Sequence, residues 1–360
     1  MSKVTIITHF PSPYQVELFD ILAARREIDL NVVYLHSCSP ERRWQPRVLQ
    51  HAGLFLDMPG NEAVGAALAE KADLTVFNYY QHPVVQRWLA KRAHSQRPWA
   101  FWGERLGFRS PHFLGRVYRR WALRHLAKSK APIWGIGSWA LESYQTEFSR
   151  QRDYENVSYY SDLSRFTAAA CERTPVKGLI RFLYSGSLIK RKGVDLLADA
   201  FKKLALTDDR VRLCFLGDGP LLGELQATLA PIAHLVEFPG FKDWQELPSA
   251  YAGADILCAP SIHDGWGLII PEGLAAGLPV IGTNQTGAAL EFVRTGQNGW
   301  LIPAGDSEAL FQAMLDATRQ GVEKLGLMSR QAHETVADHT LAHGAARLEA
   351  ASRSALLKWR

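Results

Sequence analysis

The strongest constraint on the fold of this chain is an alternation that occurs twice. Short runs rich in β-branched and aromatic residues are each followed by a longer stretch with helical spacing, the signature of parallel sheets built from strand–helix–strand units. In the first set KVTIITHF, LNVVYLH, DLTVFNYY, PWAFWGE, PIWGIGS and NVSYYS read as strands. YQVELFDILAARR and VVQRWLAKRAH read as helices, the former placing Val16, Phe19, Leu22 and Ala23 on one face. In the second set the strands are RFLYSGS, VRLCFLG, LVEFPG, DILCAPS, LPVIGT and GWLIP. Its helices are GVDLLADAFKKLA, PLLGELQATLA, PEGLAAG and SEALFQAMLDATRQ, and LAHGAARLEAASRSALLKWR closes the chain as a further helix. The small, polar stretch SRFTAAACERTPVKG lies between the sets and reads as a linker. The expected architecture is α/β, with two doubly wound Rossmann-like domains facing across a cleft. The expected boundaries are 1–165, a linker at 166–178, 179–340, and a helix at 341–360 packing back toward the first domain.

Composition narrows the class further. Hydrophobic residues at 47% and charged residues at 21% exclude disordered, collagenous and coiled-coil chains. The four cysteines (Cys38, Cys171, Cys214 and Cys258) stand far apart, which leaves neither a disulfide framework nor a usual zinc spacing. MSKVTIITHF carries one lysine and then a short β-branched run, less than the apolar stretch of a secretory signal, so a cytoplasmic location is expected. Charge is uneven. Residues 1–170 hold 22 Lys and Arg against 15 Asp and Glu, and the remainder hold 19 against 21.

The segment PSIHDGWGLIIPEGLAAGLPVIGT, residues 260–283, concentrates chemistry. A strand end passes into a glycine-punctuated loop and then into a helix starting near Pro271. Gly265 and Gly267 allow close approach of backbone amides to a ligand, and a helix start offers free N–H groups. Asp264 and Glu272 bracket the loop, eight residues apart. Each acid taken singly has an ordinary structural reading as a turn or first-turn acid. Upstream, YSGSLIKRKGVDLLADAF sets Lys190, Arg191 and Lys192 in a β–α turn. Such cations either serve an anionic ligand or form a solvated face.

Together these segments resemble the retaining glycosyltransferases of family 4, in the group 1 class with the GT-B fold. D-x7-E followed by AAGLPVIGT is similar to that family's E-x7-E signature, with Asp264 in place of the first glutamate and Trp266 where phenylalanine is common. YSGSLIKRKG resembles its GR-x-x-x-x-KG stretch, with Ser187 where arginine usually follows Gly186. The resemblance implies that Lys192 and Arg191 hold the donor diphosphate and that Glu272 binds the ribose. It also implies that Asp264 and the amides of Gly265, Trp266, Gly267 and Leu268 contact sugar and diphosphate. FLGDGPLLGEL contains Gly217 and Gly219, which match the family's GxGP turn near the base, and Phe241 after Gly240 is a base-contacting position by the same likeness. A dinucleotide fingerprint is the competing reading of those glycines, although its spacing is one residue too long. Thr286 and Gly287 transfer weakly, because the glycine count before Glu291 differs.

The first half carries less. Pro11, Ser12 and Pro13 occupy the loop where the family often has glycines. Glu104, past the strand PWAFWG, either orients an acceptor hydroxyl or stabilises charge on the sugar, or is a plain turn acid. His82 and His112 stand at loop positions where lone histidines are commonly structural. In residues 114–130 a helical wheel puts Arg116, Arg119, Arg120, Arg124 and Lys128 on one side and Leu114, Tyr118, Trp121, Ala122 and Leu126 on the other. Two readings stand: attachment to an anionic membrane surface, or a surface helix with its apolar face in the core. No nucleic-acid motif accompanies the patch.

The expected activity is transfer of a sugar from a UDP- or GDP-sugar to a hydroxyl of a glycan or lipid-linked glycan. The chain has no D-x-D pair, so no metal or other cofactor is required by the sequence. The expected place of work is the cytoplasm, extending to the inner face of the plasma membrane. A non-catalytic nucleotide-sugar-binding or scaffold subunit and an NAD-dependent oxidoreductase are the alternatives.

Overall fold

The structure is a computed structural model describing residues 1–38, 48–107, 112–171 and 178–359, apart from the side chains of residues 112, 113 and 116. It comprises two compact units, Met1–Ser161 with Leu341–Arg360, and Asp162–Thr340. Unit 1 opens with β1 (Ser2–Thr8), α1 (Pro13–Ala24), β2 (Ile28–Tyr34), β3 (Ala52–Phe55) and α2 (Asn61–Lys71). It continues through β4 (Leu74–Phe77), α3 (Pro83–His94), β5 (Trp99–Gly103), α4 (His112–Ala122) and α5 (Arg124–Ala127). β6 (Ile133–Gly135), α6 (Ser138–Glu147) and β7 (Tyr154–Asn156) complete the sheet, whose order is β3-β2-β1-β4-β5-β6-β7. Unit 2 runs α7 (Ser164–Cys171), β8 (Ile180–Ser185), α8 (Val194–Ala205), β9 (Val211–Leu216), α9 (Leu222–Leu229) and β10 (Val236–Gly240). There follow α10 (Leu247–Ala252), β11 (Ile256–Ala259), α11 (Ile269–Ala275), β12 (Val280–Thr283), α12 (Gly287–Phe292), β13 (Gly299–Ile302), α13 (Ser307–Arg319) and α14 (Val322–Thr335). The second sheet has the order β10-β9-β8-β11-β12-β13. The pairings in both sheets are parallel.

The central strands are buried on both faces, as sheets covered by helices on each side require. β4, β5, β6, β11 and β12 have no exposed residue, and Phe77, Trp99, Phe101 and Ile133 pack with Leu89 of α3 and Leu126 of α5. α8 presents Val194, Leu197, Ala198, Phe201 and Leu204 to the second core, the ordinary behaviour of an amphipathic helix. The last helix, α15 (Leu341–Lys358), belongs to unit 1, where it packs on α1. Gly344 permits the approach, since a Cβ there would lie 2.5 Å from the Tyr160 ring. Glu349 is buried on that helix and is paired with Arg25 at 3.0 Å and with Arg353.

Several elements depart from the expectation. β3, α2, α12 and α14 were not expected, because their sequences lack strong periodicity or strand-forming residues. The last strand of unit 1 is Tyr154–Asn156 and not NVSYYS, with Val157 onward already leaving the sheet. The stretch read as a linker begins as α7, which packs in unit 2: Phe166 meets Tyr251 edge-on at 5.0 Å, and Arg165 covers Trp244 at 3.9 Å. Residues 172–177 of that stretch lie outside the described residues. The helix expected over 114–130 is broken at Leu123, which adopts φ −99° and ψ 18° between α4 and α5.

One contact links fold to site. Gly217 has φ +146°, and a Cβ on it would fall 1.9 Å from the Gly186 carbonyl oxygen. Both partners are backbone, so neither can rotate aside. Gly217→Ala is expected to lower stability by about 3 kcal/mol, measured by chemical denaturation. A loss within about 0.5 kcal/mol would show that the two turns can separate freely.

Candidate functional site

In an open parallel sheet, a crevice forms where the strand order reverses, at the carboxyl ends of the two strands flanking the reversal. In unit 2 those strands are β8 and β11. The chain leaves β8 through Gly186 and Ser187 into a single 3₁₀ turn, Lys190–Lys192, and leaves β11 through Ser261–Gly267. Three predicted residues converge here. Lys192 Nζ forms an ion pair with Asp264 Oδ2, both side chains being largely buried. Arg191 Nη1 donates to the His263 carbonyl at 2.7 Å and lies 3.8 Å from Asp264 Oδ1. Burial by itself would raise the Asp264 carboxyl, but Lys192, Arg191 and His263 outweigh it and hold it below its ordinary value. The site therefore carries two cations against one ionised acid.

Backbone geometry fixes the Asp264 loop on its other side. Asp264 N donates to the Gln285 carbonyl at 2.9 Å, and Gly287 N donates to the Asp264 carbonyl at 3.2 Å. Thr286 and Gly287 thus adjoin Asp264, although their sequence match was weak. Gly267 has φ +88°, and a Cβ there would come within 2.8 Å of Thr286 Cγ2. Gly265 and Trp266 are buried, and Leu268 is the residue preceding α11. α11 begins at Ile269, two residues before the expected start, so Pro271 is its third residue and still inside the first turn.

Glu272 is 9% exposed and accepts a 3.4 Å hydrogen bond from the Tyr251 hydroxyl. Burial first, and then the charge of Glu272, push the Tyr251 phenol well above its usual value, and the Ser185 side chain at the end of β8 bonds to it as well. Glu272 is in this way tied to the same strand end as Lys192. Gly217 packs on Gly186 as described, and a Cβ on Gly219 would lie 2.6 Å from the Leu188 carbonyl. Their glycine character is accounted for by turn-on-turn packing. Ser187 accepts, through its carbonyl, the Tyr184 hydroxyl at 2.7 Å. Phe241 stands 40% exposed after β10, two strands outward from the reversal.

In unit 1 the order reverses between β1 and β4. There the structure assembles a cluster that the sequence pattern did not single out. His9 stacks on Tyr79 at 4.5 Å with an interplanar angle of 3°, and His36 meets His9 edge-on at 5.3 Å. Beneath them Thr8 and Gln15 bond to Asn78 Oδ1 at 2.9 and 3.2 Å. Local spacing could not reveal this grouping, because its members come from the ends of β1, β2 and β4; position directly after a central strand was the available signal. His82 caps α3, its Nδ1 accepting from Val84 N at 3.3 Å. Burial, then His36 and Arg87, depress its pKa. Glu104 is an exposed residue just past β5, and its carbonyl accepts from the Tyr144 hydroxyl at 2.8 Å. It lies in unit 1. His112 opens α4, and its side chain lies outside the described residues. Among the described residues no group of three or more His, Cys, Asp or Glu is arranged to hold a metal ion, and no helix is long and apolar enough to cross a membrane.

Residues 180–320, which contain the whole of the Lys192–Asp264 cluster, match the family model described as glycosyl transferases group 1. A phosphatidyl-myo-inositol mannosyltransferase of Mycobacterium leprae is 33% identical over 133 residues, covering 37% of this chain and 35% of that protein. The lipopolysaccharide core biosynthesis glycosyltransferase LpsE of Rhizobium meliloti is 31% identical over 153 residues, covering 42% and 43%. The match thus spans less than half the length of these curated relatives. Anabaena HepE, solved in complex with UDP, superposes with a TM-score of 0.77 at 17% identity, covering 98% of this chain and all of that one. The two Rossmann-like units are those of the GT-B fold. The residues that match the group 1 family model lie in unit 2, and the Lys192–Asp264 cluster lies among them.

The ion pair makes a pH-dependent prediction. Asp264 is held below its ordinary value of 3.8, so its contribution to stability is present above that pH and is lost as pH falls through the lower, folded value. Lys192→Met should cost about 3 kcal/mol near pH 7, by leaving a largely buried carboxylate without its cation. Denaturant titrations across pH should show this gap closing in strong acid; a gap of equal size at neutral pH and in strong acid would refute the assignment.

Proposed function

We propose that this chain is a retaining glycosyltransferase. Unit 2 takes a UDP- or GDP-sugar, and unit 1 presents a hydroxyl of a glycan or lipid-linked glycan. The carrying observation is the pair of cations, Lys192 and Arg191, at the strand-order reversal of a group 1 domain, held by the one acid beside them. Cleavage of a glycosyl–phosphate bond leaves the diphosphate with added negative charge. Fixed cations stabilise that charge more in the transition state than in the ground state, which is the condition for rate enhancement. In this reading Lys192 and Arg191 take the diphosphate, assisted by the amides of the Gly265–Leu268 loop. Glu272 accepts from the ribose hydroxyls, Asp264 and the loop contact the sugar, and Phe241 adjoins the base.

The acceptor oxygen bonds to the anomeric carbon on the face the diphosphate leaves. Its proton passes to the departing phosphate oxygen, so a protein base is not needed and configuration is kept. No metal is required in this scheme, since the two cations meet the leaving-group charge and the chain has no D-x-D pair. The stacked His9 and Tyr79, with Glu104, supply the acceptor side. The acceptor class, supported by relatives named for mannosyl transfer to phosphatidyl-myo-inositol and for lipopolysaccharide core synthesis, sets the work at the cytoplasmic face of a membrane.

Two measurements test the reading. Thermal-shift screening against UDP-, GDP- and ADP-sugars should give stabilisation by one nucleotide class, because a ligand of the folded state raises its apparent stability. Lys192→Ala should lower donor turnover by roughly 10²–10³-fold, and Glu272→Ala should act mainly by weakening donor binding. Wild-type turnover in both variants would reject the site. Stoichiometric NADH binding without any nucleotide-sugar response would favour an oxidoreductase.

A further inference from the structure

α4 is an amphipathic helix with its apolar stripe turned outward. Leu114, Val117, Tyr118 and Trp121 recur at i, i+3, i+4 and i+7, which makes them one continuous stripe. They are 61, 51, 47 and 59% exposed. The helix is anchored by other groups: Ala122 and Leu123 are buried, Gln86 Nε2 donates to the Ala122 carbonyl at 2.9 Å, and Arg119 Nη1 donates to the Gly107 carbonyl at 2.8 Å. A surface helix packing normally would bury the stripe, as α8 buries its own. Of the expected apolar side, only Ala122 and Leu126 face the core.

The charges of the segment that carries the stripe are of one sign. Residues 112–130 contain six Lys and Arg and no Asp or Glu. Arg120 is mostly exposed, with its guanidinium 3.8 Å from Glu147, and Arg124 covers the Trp121 ring at 4.9 Å. Lys128 is exposed and Lys130 lies close by at the end of the same run. Tyr and Trp combine an apolar body with a polar edge, which suits the boundary between headgroups and acyl chains. An apolar stripe on a segment whose own charges are all positive, with Glu147 the acid beside Arg120, complements a surface that is oily within and anionic without.

We propose that the Leu114–Trp121 stripe seats in the surface of an anionic lipid bilayer, with Arg120, Arg124, Lys128 and Lys130 on the headgroup phosphates. This rests on the membrane-face location proposed above and does not depend on the sugar chemistry. The stripe also adjoins the carboxyl end of unit 1's sheet. Burial first raises the phenols of Tyr79 and Tyr80, both just past β4, and Tyr118 adds to each of them. A bilayer held by α4 would bring lipid-borne hydroxyls beside the His9–Tyr79 stack.

Sedimentation of the full chain with phosphatidylcholine vesicles, with and without phosphatidylglycerol, tests this. Binding should require the anionic lipid and weaken with salt. Tyr118→Ala combined with Trp121→Ala should reduce partitioning by roughly tenfold or more, and Arg120→Gln with Arg124→Gln should reduce mainly the salt-sensitive part. Tyr118, Arg120 and Trp121 are exposed and Arg124 is half-buried outside the core, so circular dichroism should show each variant folded. Equal binding by wild type and the stripe variant, or binding indifferent to lipid charge, would overturn the proposal. So would a dimer in sedimentation velocity that Trp121→Ala abolishes while vesicles are ignored. Lys192→Ala should lose donor turnover yet keep vesicle binding, which separates failure of this surface from failure of the catalytic reading.

Discussion

Strand order governs both the position and the membership of the site. A parallel sheet whose order reverses beside its first strand sends the connections on either side of the reversal to opposite faces, and the loops there diverge. Residues directly after the two flanking strands are the ones best placed to reach the gap. In unit 2 the 3₁₀ turn after β8 brings Lys192, and the loop after β11 brings Asp264. The two residues are 72 positions apart in sequence, and no local preference would unite them. Around them, glycine is required by the closeness of neighbouring turns. A Cβ on Gly193 would lie 2.1 Å from the Pro260 carbonyl, joining the start of α8 to the end of β11 as Gly217 joins β9 to β8.

The electrostatic consequence follows from burial. A largely buried ammonium and carboxylate each have a desolvation cost, and their attraction offsets it only while both are present. Arg191 breaks the balance toward positive, with 44% of its side chain exposed and its guanidinium anchored on the His263 carbonyl. On the proposed reading, such an arrangement is in place for an anion before any ligand arrives, so little reorganisation would remain when charge develops on a leaving group. The presence of aspartate instead of glutamate at position 264 suits this geometry. The short side chain stays within the loop, against Lys192 and beside Gly267, where a Cβ would already meet Thr286 Cγ2 at 2.8 Å.

What could be read from the sequence was what repeats or punctuates. β1, β5, β8 and β11 are runs rich in apolar residues, and the α/β class with two doubly wound sheets was legible from their alternation with helical spacing. Lys192, Asp264 and Glu272 were legible because glycine spacing and a proline in a first helical turn frame them locally. β3, with its four residues AGLF only partly covered, has too little pattern to announce itself. α7 is rich in alanine and polar residues, and its place in unit 2 depends on the contact of Phe166 with Tyr251, far along the chain. The His9–Tyr79 stack fails to show for the same reason: each ring is ordinary in its own segment, and only sheet order makes them neighbours.

α4 marks the limit of a helical wheel. The wheel correctly groups apolar and basic residues, but it assumes that the apolar side is the packed side. Here a break at Leu123 turns α5 so that Leu126 enters the core, while Ala122, Leu123 and two hydrogen bonds are enough to hold α4 by its flank. The stripe at 114, 117, 118 and 121 is released from any structural duty toward the sheet. A run of large apolar side chains with no packing role carries a solubility cost in water, and that cost is offset only by a second surface. The charged residues of 112–130 are all positive, so the complementary surface is anionic, and the exposed Tyr118 and Trp121 rings, with Arg124 over the latter, suit the headgroup boundary of a membrane.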